Sequence, residues 1–387
     1  MSVLYNLTLR HVRTENYSVL RLSQCGPVNM INSSSSSSET DISLSSTRSK
    51  SRHFPKQTFN VGRHGRKCPN QASDWTLDHL CKIGIEFDDH SMDLDKFMTT
   101  LKTREIVVCN ELDKIPQIGH SLLELTNKMW HFSYAFDKEK GNGILGAKQK
   151  TEEAIEEFED IEDEMEKIFC SDSSRRKLYF SWRKNLLDFW WYYHTLLTRW
   201  SKPLQTEGKY NQLFTAFSKI FRLYPEVGGA YSESIIIGDM NVTGIPDIRF
   251  LTFADKVLKL MIVTKVKQYD AIRGEYNPDT FTYHNVSRKV LGQHGIELLL
   301  EARDSYFFPY VVGVLCIGTK IIFTSMYIEM DIYNEIVEEG TVQPPNKVNI
   351  SYTRPYDYMD YSDRQALMEP MFWFGFVQSN AYKYKAM

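Results

Sequence analysis

One carboxylate and a pair of lysines stand where phosphodiester chemistry would need them. The segment Gly244-Ile-Pro246-Asp247-Ile-Arg-Phe250 is followed by the apolar run Leu260-Met-Ile-Val263-Thr-Lys265-Val-Lys267-Gln. Metal-dependent cleavage of a phosphodiester requires carboxylates that hold a hard cation, and a lysine near the attacking water that favours hydroxide. Residues i and i+2 of a strand share a face, so a strand-borne Asp beside an acid-x-Lys strand would supply both. The second acid is absent. If Lys267 is the functional lysine, Lys265 occupies the acid's position; if Lys265 is, Val263 does. Two lysines facing one Asp repel a divalent cation and compete for the carboxylate. Glu233, Asp239, Glu297 and Glu207 are the acids available to substitute from elsewhere.

In these residues the sequence resembles the PD-(D/E)XK, or restriction-endonuclease-like, superfamily over about residues 205–328. The Pro246-Asp247 step resembles its PD motif, and the expected helix–strand–strand–strand–helix–strand order resembles its core. Gln293 resembles the polar residue often found in the helix after the motif, on a stripe with Val286, Val290 and Leu300 that would face the sheet. The resemblance implies Mg²⁺ or Mn²⁺ on Asp247; Glu233, from among the acids available to substitute, is the candidate for a further ligand. The resemblance also implies a water oriented by Lys267, a scissile phosphate met by Lys265, and a water or neighbouring phosphate held by Gln293. DNA or RNA would be the partner. The competing expectation is a module that keeps the nuclease fold without its chemistry and binds nucleic acid or protein.

These residues have to be placed by an α+β chain with a central mixed sheet. A helix is predicted over about Tyr210–Leu223, then strands at Glu233–Ile237, Ile245–Phe253 and Val257–Val266. A helix capped by Asn285 runs to about Arg303. Strands Val311–Ile317 and Lys320–Ile328 follow, joined at Gly318-Thr319, whose Gly-X pattern suits a type II′ hairpin. Upstream, apolar spacing from Thr151 to Phe169 predicts a helix whose other faces carry ten acids between Glu152 and Glu166. Another, about Arg175–Trp200, has aromatics on all sides, which implies burial all round. The domains expected are a disordered Ser-rich tail over 1–73, a small mixed domain over 74–135, a helical region over 147–202, the nuclease-like core over 205–330, and an aromatic extension over 331–387 that packs on it.

The 387 residues are 42% hydrophobic and 25% charged, enough apolar material for a packed core. A net charge of −3 excludes a global field of the kind that marks a nucleic-acid binder, so such a role requires a local patch. Residues 1–74 carry +6 and leave −9 for the rest, whereas 209–328 carry +2. The six cysteines lack metal-ligand spacing, no run is long and apolar enough for a bilayer, and no secretory segment is evident. An intracellular protein, nuclear or cytoplasmic, without a membrane role is expected. Gly141-Asn-Gly143-Ile-Leu-Gly146 fits a dinucleotide fingerprint but follows a polar turn instead of a strand. Asp88, Asp89, His90, Asp93 and Asp95 lack the glycine and distal glutamate of a calcium loop.

Overall fold

The computed structural model describes residues 68–102, 173–198, 206–228, 232–254, 257–273 and 277–380, with scattered positions between 122 and 156. The basic tail to residue 67, the glycine motif at 141–146 and most of the acidic helix lie outside the described residues. The fold is α+β, built on a mixed sheet.

We number the elements along the chain as α1 (Leu77–Lys82), β1 (Ile85–Phe87), α2 (Leu94–Lys102), α3 (Ser173–Thr198), α4 (Glu207–Ile220) and β2 (Pro225–Val227). Next come β3 (Glu233–Ile237), β4 (Met240–Gly244), β5 (Ile248–Ala254), β6 (Val257–Lys267), α5 (Arg288–Leu300), β7 (Tyr310–Ile317) and β8 (Lys320–Tyr327). The chain continues through α6 (Met330–Glu339), β9 (Val348–Tyr352), β10 (Tyr356–Asp357) and α7 (Tyr361–Asn380). The main sheet has the order β1-β9-β8-β7-β6-β5-β2, with β10 also on β8. Pairs β1–β9 and β6–β7 are parallel. The neighbouring pairs β2–β5, β5–β6, β7–β8 and β8–β9 are antiparallel. A parallel pair needs a crossover, which α5 supplies between β6 and β7.

Strand β6 is buried without interruption from Leu260 to Val266, as a central strand covered on both faces should be. Alternation along β7 divides the core into two layers. Val312, Val314 and Cys316 join the aromatic side chains of α3, α4 and α7, among them Trp182, Phe217 and Phe374. Val311, Leu315 and Ile317 join Leu80 of α1, Ile235 of β3 and Ile296 of α5. The tight turn between β7 and β8 has Gly318 at φ +64, while Thr319 stays out of the left-handed region, as a II′ turn requires.

The structure revises several expectations. Glu233–Ile237 pairs only with β4, in a separate two-stranded sheet. The strand beside β5 is instead Pro225–Val227, three residues whose proline is tolerated because an edge leaves its missing N–H without a ladder partner to lose. The helix after β6 has Ser287 rather than Asn285 at its N-cap position, without a side-chain capping bond, and ends at Leu300. Within the 74–135 block, β1 extends the main sheet by pairing with β9. Helix α3 is not buried all round. Tyr179, Trp182, Leu186, Phe189, Tyr193 and Leu196 form one buried face, while Trp191 is 61% exposed.

Helix α5 approaches α1 closely at Gly292, where a Cβ would lie 2.2 Å from the Thr76 carbonyl carbon and 2.3 Å from its Cα. Backbone cannot rotate aside as a side chain can. Gly292→Ala is expected to lower unfolding stability by about 2 kcal/mol or more, read as a reduced urea midpoint at constant slope.

Candidate functional site

Asp247 ends the link between the β3–β4 hairpin and β5. The β5–β6 register, Ile248 opposite Thr264, sets it beside Lys265. Its Oδ2 accepts the Val266 backbone N–H at 2.8 Å, which fixes the carboxylate, and its Oδ1 accepts from Lys265 Nζ at 3.3 Å. The same ammonium donates to Glu297 Oε1 on α5 at 2.9 Å. Lys265 therefore sits between two carboxylates. Side-chain exposure is 8% for Lys265, 2% for Glu297 and 18% for Asp247, so the ammonium and the helix carboxyl are almost dry.

Burial decides the protonation of this group. It pushes the Glu297 carboxyl up to about 7, against the opposing pull of Lys265. Glu297 Oε2 is sealed from water and has no hydrogen-bond partner. Burial also disfavours the Lys265 ammonium, but Glu297 and Asp247 outweigh it and hold that amine above the usual lysine range. Two carboxyls share one ammonium, and the buried one takes up a proton near neutrality.

A second pair lies along the same strand and helix. Arg249, two residues after Asp247, donates to Glu301 Oε2 at 2.6 Å and to Glu233 Oε1 at 3.3 Å. Burial pushes the Glu301 carboxyl up to about 7 as well, opposed by Arg249. Glu301, the C-cap of α5, follows Glu297 by one i,i+4 step, so one side of the helix end presents both acids to the cations of β5 and β6. Beside them, His294 Nε2 meets Thr324 Oγ1 at 2.7 Å, and burial lowers its imidazole to about 3, keeping it neutral.

Among the residues expected at the site, only Asp247 and Lys265 meet. Lys267 turns to α4, where its Nζ is 2.8 Å from both carboxylate oxygens of Glu207. Gln293 was expected to look toward the site; its amide instead donates to the Ser73 backbone carbonyl, because the Ser73–Thr76 segment lies against that part of α5. Glu233 belongs to the Arg249 pair. Of the acids considered as replacements, Glu297 is the one that shares a partner with Asp247, while Asp239 is exposed in the hairpin turn. The arrangement does not fit a divalent cation, since an ammonium lies where such an ion would bridge the two carboxylates. No cluster of three or more His, Cys, Asp or Glu suited to a metal occurs among the described residues.

Sequence reasoning missed Arg249 and Glu301. Their signal was present: Arg249 shares a strand face with Asp247, and Glu301 stands four residues beyond Glu297 in an otherwise apolar stretch, Ile296 to Leu300. Comparison of the sequence with protein-family models and with curated proteins found no match. Among the described residues no helix is long and apolar enough to cross a membrane.

Proposed function

We propose that α4 through β7 is a restriction-endonuclease-like core that binds nucleic acid without cleaving it, the Lys265 ammonium standing in for the metal. Two features support the fold assignment. The order α4–β2–β5–β6–α5–β7 pairs antiparallel, antiparallel and then parallel along the sheet. The Pro246-Asp247 step opens the strand next to the one bearing Lys265. The observation that carries the non-cleaving part is the dual contact of Lys265 Nζ with Asp247 and Glu297. A buried ammonium held by two acids is withdrawn from phosphate, and the acids it neutralises are withdrawn from metal. Nucleic acid is the ligand class that the resemblance implies, and the +2 charge of 209–328 within an acidic body favours this region as the contact.

The test is calorimetric titration of Mn²⁺ into the full chain, with a plasmid-nicking assay and Asp247→Ala as control. The expected result is neither heat of binding nor nicking. Fluorescence anisotropy with labelled single- and double-stranded DNA and RNA should then give an affinity that falls steeply with salt. Mn²⁺ binding and nicking, both lost in Asp247→Ala, would overturn the non-cleaving reading in favour of a nuclease with Glu297 as its relocated acid. Absence of salt-dependent binding to any of the nucleic acids would overturn the ligand assignment.

A further inference from the structure

Helix α3 turns one face to the core and a different one to solvent. Its buried face, from Tyr179 to Leu196, meets what packing asks of the helix, and Trp75, Trp130, Trp182 and Trp190 are all fully buried. Trp191 departs from that pattern: it is 61% exposed, and Phe180 is 36% exposed on the same side. At about 100° per residue, the step from Phe180 to Trp191 is three turns, which brings the two rings within about 20° of one line and sets them about 16 Å apart along the axis. Leu187, partly buried, lies between them.

Cations border this stripe. Lys177 and Lys184, both exposed, are two turns apart along the flank toward which Trp191 is offset. The Arg176 guanidinium lies 5.5 Å from the Phe180 ring centroid. From 176 to 191 the helix carries Arg176, Lys177, Arg183 and Lys184 against a single acid, Asp188, in a body that is otherwise acidic. Asp188 pairs with Lys184 at 2.6 Å, but the two side chains are 61% and 74% exposed, so water and salt weaken the pair. At the Trp191 end, Glu152 meets His194 at 3.2 Å.

We propose that this face of α3 binds single-stranded nucleic acid, with bases stacked on Trp191 and Phe180 and the phosphate backbone following Lys177 and Lys184. Exposed rings interleaved with cations suit an unpaired strand, since every base has a face to stack and every phosphate a charge to neutralise. A duplex keeps its base faces inside its own stack. At a stacked rise of about 3.4 Å per nucleotide, the distance between the rings is spanned by about five nucleotides. Lysine is depleted at protein–protein interfaces, which makes a protein partner the poorer match. The proposal rests on nucleic acid being the ligand class, and adds the surface and the strandedness.

The probes are labelled oligothymidylate and oligouridylate of about 15 nucleotides, with a DNA duplex of the same length, titrated with the full chain by fluorescence anisotropy. The single strands are expected to bind at least fivefold more tightly than the duplex. Trp191→Ala should weaken single-strand binding at least fivefold and leave the duplex unchanged, while Trp191→Phe, which keeps a ring, should retain most of the affinity. Lys177→Ala/Lys184→Ala should make the fall of log affinity with log salt shallower by about 1.4, the share of two phosphates on a single strand. All three positions are exposed, and an unchanged melting temperature checks that each variant is folded. Single strands bound no better than the duplex, or bound as well by Trp191→Ala as by wild type, would overturn the α3 surface while leaving nucleic acid as the ligand. Absence of salt-dependent binding to any of the three probes would overturn the ligand class and this surface together.

Discussion

Replacing Lys265 with methionine is expected to destabilise the protein by about 3–5 kcal/mol at pH 8, the usual cost of removing one member of a buried ion pair. The loss comes from Glu297, 2% exposed, whose carboxylate would be left in a dry site without its cation. Removing the ammonium also removes the largest pull that lowers the Glu297 carboxyl, leaving only the weaker one of Lys267, so its pKa moves further up. Protonation then relieves the variant. Urea unfolding should show a large deficit at pH 8 and a much smaller one at pH 5. Changing the partners together, Lys265→Met with Glu297→Leu, should recover most of the stability, since an apolar pair of similar size avoids desolvating two charges. A deficit that is the same at both pH values would show that lost packing, rather than an unpaired carboxylate, is responsible.

Wild-type stability should fall as pH rises from 4.5 to 6.5, and the double variant Glu297→Gln/Glu301→Gln should reverse that slope. Each glutamate has a folded pKa of about 7 against an ordinary 4.5, so its contribution is fully present below 4.5 and lost as pH rises through 7. His294 acts in the other direction. Its folded value of about 3 lies below 6.5, so its contribution is present above 6.5 and lost as pH falls toward 3. Between 4.5 and 6.5 the native state therefore gains protons on two acids and forgoes one on the histidine. These groups leave a net slope of about −1.4 kcal/mol per pH unit. Without the two acids the histidines remain, His294 and also His79, whose imidazole burial lowers too, and the slope becomes positive. Lys265, held above the usual range, loses its contribution only at more alkaline pH and leaves this window untouched. Chemical denaturation at half-unit pH intervals reads the sign directly, and equal slopes in the two proteins would refute the assignment.

Much of the architecture was legible because it rests on local pattern. The continuous apolar run of β6 and the spacing of α3 and α4 gave the elements to within a few residues, and Gly318-Thr319 marked its hairpin through a backbone requirement. What escaped was set by distant partners. Pro225–Val227 is a strand only because β5 offers it an edge, and no three-residue segment with a proline announces that. Ile85–Phe87 read as part of a separate block since its partner lies near the other end of the chain. At the site, the sequence puts Asp247 and Lys265 on neighbouring strands, and the β5–β6 register brings them together. Period two did not foresee that Lys267 would turn to α4, or that a helix carboxyl would enter on the far side of Lys265. Those outcomes depend on how α4 and α5 dock, and docking is a property of whole faces rather than of spacing.

The parallel pairing of β1 with β9 sets Ile85 opposite Val348 and Phe87 opposite Ile350. During synthesis, β1 leaves the ribosome long before the strand it must join exists. Its apolar residues, Ile85 and Phe87, both buried in the finished protein, have to wait through the making of nearly the whole sheet. The order of birth thus runs against the order of neighbours, and loop closure over so long a stretch is entropically slow. The nascent chain therefore carries an unpaired apolar segment until β9 has been made, the kind of exposed strand that favours aggregation.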